Sequence, residues 1–507
     1  MASTLPDPYP DAQLTAHDAR RTATDGIAAA SPAPERSGGG ESHGLESHGT
    51  ESHGIESHGI DHIPDSERRG RPRELFSVWA AANVNYLSLV VGGALVLVGL
   101  SLWQAIGVIV VGNAFWLLTG LLAVSGPAAG APSEVVTRAM YGVIGNRVNN
   151  AVVGWMISVC YFALSLAAAA TAAFALVART GLPVNSAVKA LVVVVIAAVT
   201  LAISVWGHSA IVRLYVPITL ALTAVFAVVA VAVVRHTDFG YVPEHRLTGG
   251  ALWATVLGGV ALIASGPLSY TTSADFSRYL PRTASPKAVA GWTALGGFLP
   301  GTVVCSLGAF AATTVDMSDP QSALLGLLPG WFGPVFLLAL ILGTVALNAL
   351  TAYSAGLALQ AVGLRIKRSR SVLVDGTASV SLTLYALLVS NFLDTVANVL
   401  QLTVVLLGPS MALYATDIVL RRNRYDGIAL GDESPNSPFW YTGGVNWAGA
   451  LSLAAGVTAA ALCVDTAYTG PIAAALGDVD LALPAGLIVT SALYALTMRG
   501  TRMRGTA

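Results

Sequence analysis

Twelve apolar runs, each close to the roughly 20 residues a helix needs to cross a bilayer, follow one another along this chain. They fall at about 76–98, 103–124, 151–177, 188–205, 211–234 and 252–273, then at 288–312, 334–362, 372–388, 393–419, 447–464 and 481–498. Hydrocarbon offers backbone N–H and C=O groups no partners, so runs of this length and number are expected to fold as helices. The predicted fold class is therefore all-α, a polytopic membrane protein with 12 transmembrane helices. Composition agrees: 54% hydrophobic residues and only 11% charged ones leave too little polar surface for a soluble protein of 507 residues.

The distribution of basic residues tests the count. With the N-terminal tail placed inside, 23 Lys and Arg fall on that side and 4 on the other, the asymmetry expected of a plasma-membrane protein with both termini cytoplasmic. The tail, 1–73, is rich in Pro, Ser, Gly and charge and is expected to be a disordered cytoplasmic segment; 74–507 is expected to be the transmembrane domain. Four pentapeptides of the form ESHGx place His43, His48, His53 and His58 at a period of five, which matches neither helix nor strand and implies no rigid metal site. Arg68, Arg69, Arg71 and Arg73 close the tail and suit an anionic membrane surface. Cys160, Cys305 and Cys463 sit inside apolar runs without metal or redox spacing and read as small buried hydrophobes.

Two spans carry interruptions. In the sixth, Ser265-Gly266-Pro267 stands near the middle of an apolar stretch. Pro267 lacks an N–H, and Gly266 has no side chain to restrain its backbone, so a break is expected there. In the first, Asn83 and Asn85 lie among apolar residues, with Gly92-Gly93 following. Amides in hydrocarbon are costly unless paired, which points them toward a bundle interior or a polar ligand. If the chain holds two repeats of five spans in opposite orientation, interrupted helices 1 and 6 occupy corresponding positions, the best sequence pointer to a transport site at the bilayer midplane.

At these residues the chain resembles the nucleobase-cation symporter family, which includes cytosine and purine permeases. The resemblance rests on WAAANV in the first span, Gly112-Asn113 in the second, SADFSRYLP after the sixth, GPSMALYATDIVLRRNRYD at 408–426 and YTGGVNW at 441–447. It covers about 73–504 and implies a five-plus-five inverted-repeat bundle with two further helices. The implied activity is cation-driven uptake of nucleobases or related heterocycles by alternating access.

The resemblance also implies site residues. Asn83 or Asn85 is expected to meet the substrate, the alternative being an interhelical hydrogen bond. Ser265, Gly266 and Ser269 lie where the family makes backbone and hydroxyl contacts to the base. The aromatic that some relatives carry near Gly266 is absent. The third span is expected to offer Tyr161, or its neighbour Phe162, as a stacking platform. In the eighth, Asn348, Thr351 and Ser354 fall at polar site positions, Asn348 foremost. The residues agree with such a solute: no charged side chain lies mid-span, which suits a flat, neutral, hydrogen-bonding ring.

Sodium-coupled relatives place hydroxyl residues immediately before the position of Asn348, because a hard cation takes oxygen ligands. Here those positions are Ala346 and Leu347, with Thr344 displaced, so the coupling ion is expected to be H⁺ and no cofactor is implied. Asp275 and Arg278, three apart at the end of the sixth span, read as an inner-gate ion pair or as a headgroup anchor. The expected partners are the bilayer and a small nucleobase-like solute, with no nucleic acid; allantoin, a hydantoin, a vitamin-like heterocycle or an amino acid remains the alternative substrate. An enzyme is not expected: the sequence carries no HExxH, GxSxG, phosphate-binding loop or Cys/His cluster.

Overall fold

The computed structural model describes Glu56, 58–389 and 392–504, with side chains at 388–389, 392–398, 401 and 499–504 excepted. The first three ESHGx repeats and the Asp394 side chain lie outside the described residues. Each of the twelve predicted runs falls on a helix, and the described residues contain no strand, only two isolated bridges. Eight helices are long and apolar enough to cross a membrane, and a ninth span is the bent pair Glu74–Asn83 and Tyr86–Leu97. The last two apolar helices, Trp447–Cys463 and Ala482–Met498, are shorter.

Large apolar side chains such as Trp103, Leu117, Leu191, Leu220 and Ile488 point outward, as in a protein solvated by lipid. Inside, small residues let helices approach closely. A Cβ on Gly92 would fall onto the Cys305 carbonyl, and one on Gly308 onto that of Leu89. The Gly92-Gly93 pair is thus a packing device within an unbroken helix, not part of the interruption in the first span.

That interruption sits at Val84 and Asn85, where the two halves meet at 59°. The asparagines satisfy the backbone they disturb. Asn83 Nδ2 donates to the Trp79 carbonyl at 2.8 Å and Asn85 Nδ2 to that of Ala82 at 2.8 Å, while Asn85 Oδ1 accepts the Ser88 N–H at 3.0 Å as the N-cap of the second half. Gly343 of the eighth span makes room for the Val84 carbonyl.

The sixth span departs from expectation. Its helix, Gly249–Leu268, runs through Ser265, Gly266 and Pro267 and ends at Ser269. Within the last turn Pro267 forfeits only the bond its N–H would make to residue 263, which the helix tolerates. The chain leaves the helix three residues later than predicted. The Thr119 hydroxyl caps the Pro267 carbonyl at 2.8 Å, and a short helix, Ala274–Ser277, follows.

The tail is expected to be disordered as far as 73, and its described residues depart from that. From Glu56 onward the described residues pack on the bundle, with Ile63 fully buried. Arg68 is not a headgroup anchor; it is buried, donating to the carbonyls of Ile63 at 2.8 Å and Pro127 at 3.0 Å.

Candidate functional site

The bend of the first span and the end of the sixth-span helix face the third and eighth spans across a hollow. Asn83, Asn85, Tyr161, Ser265, Gly266, Ser269, Thr351 and Ser354 all border it. Asn83 Oδ1 has no hydrogen-bond partner among the described residues and is the free amide acceptor here, whereas both ends of Asn85 are committed to the backbone. Beyond Gly266 nothing stands within 4 Å of a built Cβ, so the missing aromatic leaves open space.

Of the two adjacent third-span aromatics, Tyr161 faces the hollow and Phe162 is fully buried away from it, since consecutive residues on a helix diverge by about 100°. The Tyr161 hydroxyl donates to the Ser265 carbonyl at 3.1 Å and meets Thr403 Oγ1 at 3.0 Å, linking the third, sixth and tenth spans.

Asn348 does not border the hollow. Its Nδ2 donates to the Phe162 carbonyl at 3.2 Å, tying the eighth span to the third, and its Oδ1 is buried without a partner. Thr351 and Ser354, one turn further along the helix, face the cavity instead.

Asp275 and Arg278 do not pair with each other among the described ion pairs, nor do they lie at an exposed headgroup level; both are fully buried. Asp275 accepts from the Ser133 N–H at 2.8 Å and the Ser354 hydroxyl at 2.7 Å. Arg278 instead meets Glu56 Oε1 at 2.9 Å.

Two aromatics escaped the sequence reading. Trp116 and Tyr270 border the hollow with ring centroids 5.4 Å apart and planes 31° from parallel, and Trp79 braces both edge-on from behind. Asn113 borders it too, and the cost of an amide in an apolar run was the signal that could have marked it. Among the described residues, none that borders it is Asp, Glu, Lys, Arg or His. The arrangement offers hydroxyls, amides and ring faces to a solute that needs no counter-charge.

Residues 62–482 match the family described as permease for cytosine/purines, uracil, thiamine and allantoin. The chain is 26% identical over 452 residues to a candidate purine-cytosine permease, YxlA, of Bacillus subtilis (strain 168), a match covering 87% of this chain and 95% of that one. In fold it resembles Mhp1, a nucleobase-cation-symport-1 family transporter, in a closed conformation with bromovinylhydantoin bound, at a TM-score of 0.71 and 18% identity over 87% of this chain and 94% of Mhp1. Inward-facing Mhp1 gives 0.68, at 18% identity over 90% and 96%. A Na⁺-coupled sialic acid symporter in an outward-open state gives 0.55, at 11% identity over 85% and 91%. With four-fifths of its length matched, this multi-pass membrane protein belongs to the cytosine/purine permease family, a family of transporters and not of enzymes.

Proposed function

We propose that the chain imports a nucleobase, cytosine or a purine, across the plasma membrane by symport with a proton. The observation that carries this reading is the hollow whose described lining is free of charged residues and brings together Asn83 Oδ1, the hydroxyls of Ser269 and Thr351, and the rings of Trp116, Tyr270 and Tyr161. A base has donor and acceptor edges for the first set and a π face for the second. A charged solute would find no counter-ion. Alternating access then proceeds by rocking of one inverted-repeat bundle against the other around the two interrupted spans.

Proton coupling is supported by the eighth span. Ala346 and Leu347, immediately before Asn348, bring no side-chain oxygen to a hard cation, and Thr344 lies further back along the helix with its hydroxyl turned to the Leu340 carbonyl at 3.0 Å. Cytoplasmic termini are supported by the 23-to-4 partition of basic residues. On that orientation the Glu56–Arg278 pair, rather than Asp275 with Arg278, forms the inner gate. A hydantoin-like substrate is the second reading, favoured by the bromovinylhydantoin bound to Mhp1.

Uptake of labelled cytosine, adenine, allantoin and hydantoin into cells expressing the full chain, with and without Na⁺, tests this. Cytosine or adenine should accumulate, faster with a more acidic exterior and indifferent to Na⁺. Uptake that collapses without Na⁺ at constant pH would overturn the coupling, and accumulation of hydantoin alone would reassign the substrate.

A further inference from the structure

Between the second and third spans the short helix Ser133–Val136 carries Glu134, 2% exposed, with neither carboxyl oxygen receiving a hydrogen bond. Its backbone is pinned, because the Glu134 carbonyl accepts from Asn146 Nδ2 at 2.6 Å and from Asn150 Nδ2 at 3.1 Å. Its carboxyl lies against that of Asp275. The two short helices clasp each other: the Ser133 N–H donates to Asp275 Oδ1 at 2.8 Å, and the Ala274 N–H donates to Ser133 Oγ at 3.1 Å.

A bare carboxylate in so dry a place costs several kcal/mol, and a second negative charge beside it adds repulsion. Asp275 has two donors to sustain its charge and Glu134 has none. Burial first, and then the Asp275 carboxyl, push Glu134 well above the usual carboxylate range. Burial raises the Asp275 carboxyl as well, and Glu134, which no donor faces, is the one of the two that the geometry favours to hold a shared proton.

The pair also connects two hollows. Ser354, whose hydroxyl donates to Asp275 Oδ2 at 2.7 Å, borders the substrate hollow. Glu134 borders a second, smaller one together with Thr137, Tyr141 and Tyr414, and Thr272 borders both. The other charged and titratable groups around the pair are Arg278 beside Asp275, Tyr353 on the eighth span, Tyr414 on the tenth, and Arg138 with Tyr141 on the following short helix. Both arginines are engaged elsewhere, Arg278 by Glu56 and Arg138 by Glu433 at 2.5 Å. Asp375 of the ninth span also has two buried oxygens without partners, but it borders neither hollow.

We propose that Glu134 is the proton carrier of the transport cycle, loaded from the substrate hollow through Ser354 and Asp275 and unloaded into the second hollow. The assignment rests on the proton-coupled reading above. In the cycle Glu134 gives its proton to water in the second hollow and becomes a carboxylate. Asp275 takes a proton at Oδ2 from the Ser354 hydroxyl, which is replenished from the substrate hollow, and passes it to Glu134. Each group ends as it began, with one proton moved.

The test uses the full-length protein reconstituted in liposomes with labelled cytosine. Accumulation driven by an imposed pH gradient is compared with equilibrium exchange in wild type, Glu134→Gln and Asp375→Asn. The ratio of driven accumulation to exchange should fall at least about tenfold in Glu134→Gln and stay at the wild-type value in Asp375→Asn. A Glu134→Gln ratio equal to wild type overturns Glu134 alone, whereas a wild type driven by Na⁺ and not by pH overturns the coupling as well. If Glu134→Gln does not exchange, Glu134→Asp decides: accumulation with a displaced pH midpoint supports the assignment and an unchanged pH profile refutes it. Infrared spectra of the purified protein need no substrate. The protonated-carboxyl band at neutral pH should lose one group's intensity in Glu134→Gln, and equal intensity overturns the proposal.

Discussion

Arg278 Nη2 stands 2.9 Å from Glu56 Oε1, so the segment after the sixth span is joined to the first residue of the fourth ESHGx repeat. Around that pair the Tyr353 hydroxyl donates to the same oxygen at 2.9 Å, Tyr279 does so as well, and the His208 N–H donates to Oε2 at 2.8 Å. Gly207, at φ +83°, gives the carboxylate room to approach. Burial alone would raise this carboxyl, but Arg278 and Arg368 outweigh it and hold it down at about 2.

Replacing Glu56 by Gln leaves the fully buried Arg278 without its counter-charge, a change that typically costs about 3–5 kcal/mol. The melting temperature of the purified protein should fall by several degrees in Glu56→Gln. In Glu56→Gln/Arg278→Gln the two losses should be less than additive, read from a double-mutant cycle.

The same pair sets an acid limit. Because the folded carboxyl titrates at about 2, below its unfolded value, its stabilisation is complete above the unfolded pKa and is lost as pH falls from there through the folded one. Thermal melting from neutral to mildly acidic pH should therefore show no loss that Glu56→Gln removes. Such a loss should emerge as pH falls below the ordinary carboxylate value of 4.5 and continue through about 2.

Trp116 and Tyr270 supply the ring faces of the hollow. Stacking of a base on an aromatic is worth about 1–3 kcal/mol, so Trp116→Ala should weaken base affinity by roughly 5- to 150-fold. Trp116→Phe should recover part of it. Equilibrium binding in detergent checks both, and unaltered affinity in Trp116→Ala would remove the ring from the site.

Asn83 and Asn348 hold different positions in the structure, one at the hollow and one between helices. Asn83→Ala removes the free amide acceptor of the hollow and should lower base affinity by roughly tenfold, the loss of one hydrogen bond of about 1.4 kcal/mol. Asn348→Ala severs the tie to Phe162 and should show mainly as lower thermal stability, with affinity nearly preserved. Parallel binding and melting curves separate the two.

Glycines in the two interrupted spans should respond in opposite ways. Gly92→Ala drives a methyl onto the Cys305 backbone and should reduce the yield of folded protein. Gly266→Ala meets nothing, so folding should be unaffected while Gly266→Leu occludes the hollow and abolishes uptake at normal membrane expression.

Much of the architecture was legible in the chain because hydrocarbon leaves the backbone little choice. Apolar runs of the required length announce helices, and amides or glycine and proline within them announce where helices fail. That reasoning located the bend at Asn83 to Asn85 within two residues. It placed the sixth-span break three residues early, because a proline in the last turn of a helix costs one hydrogen bond and does not by itself end the helix.

Which side chains meet was a different matter. Trp116 and Tyr270 are ordinary aromatics along the chain, and only the crossing of the second span with the end of the sixth aims both rings at one hollow. Asn348 and Thr351 lie three apart on one helix, yet only the latter looks inward, a distinction set by helix rotation. The chain's periodicity did not fix that rotation. Glu56 looked like part of a solvated tail, and Asp275 and Arg278 like a gate pair or an anchor at the headgroups. The fold gave each a different neighbour, because a buried charge takes whichever counter-group the packing brings within reach, however distant in sequence.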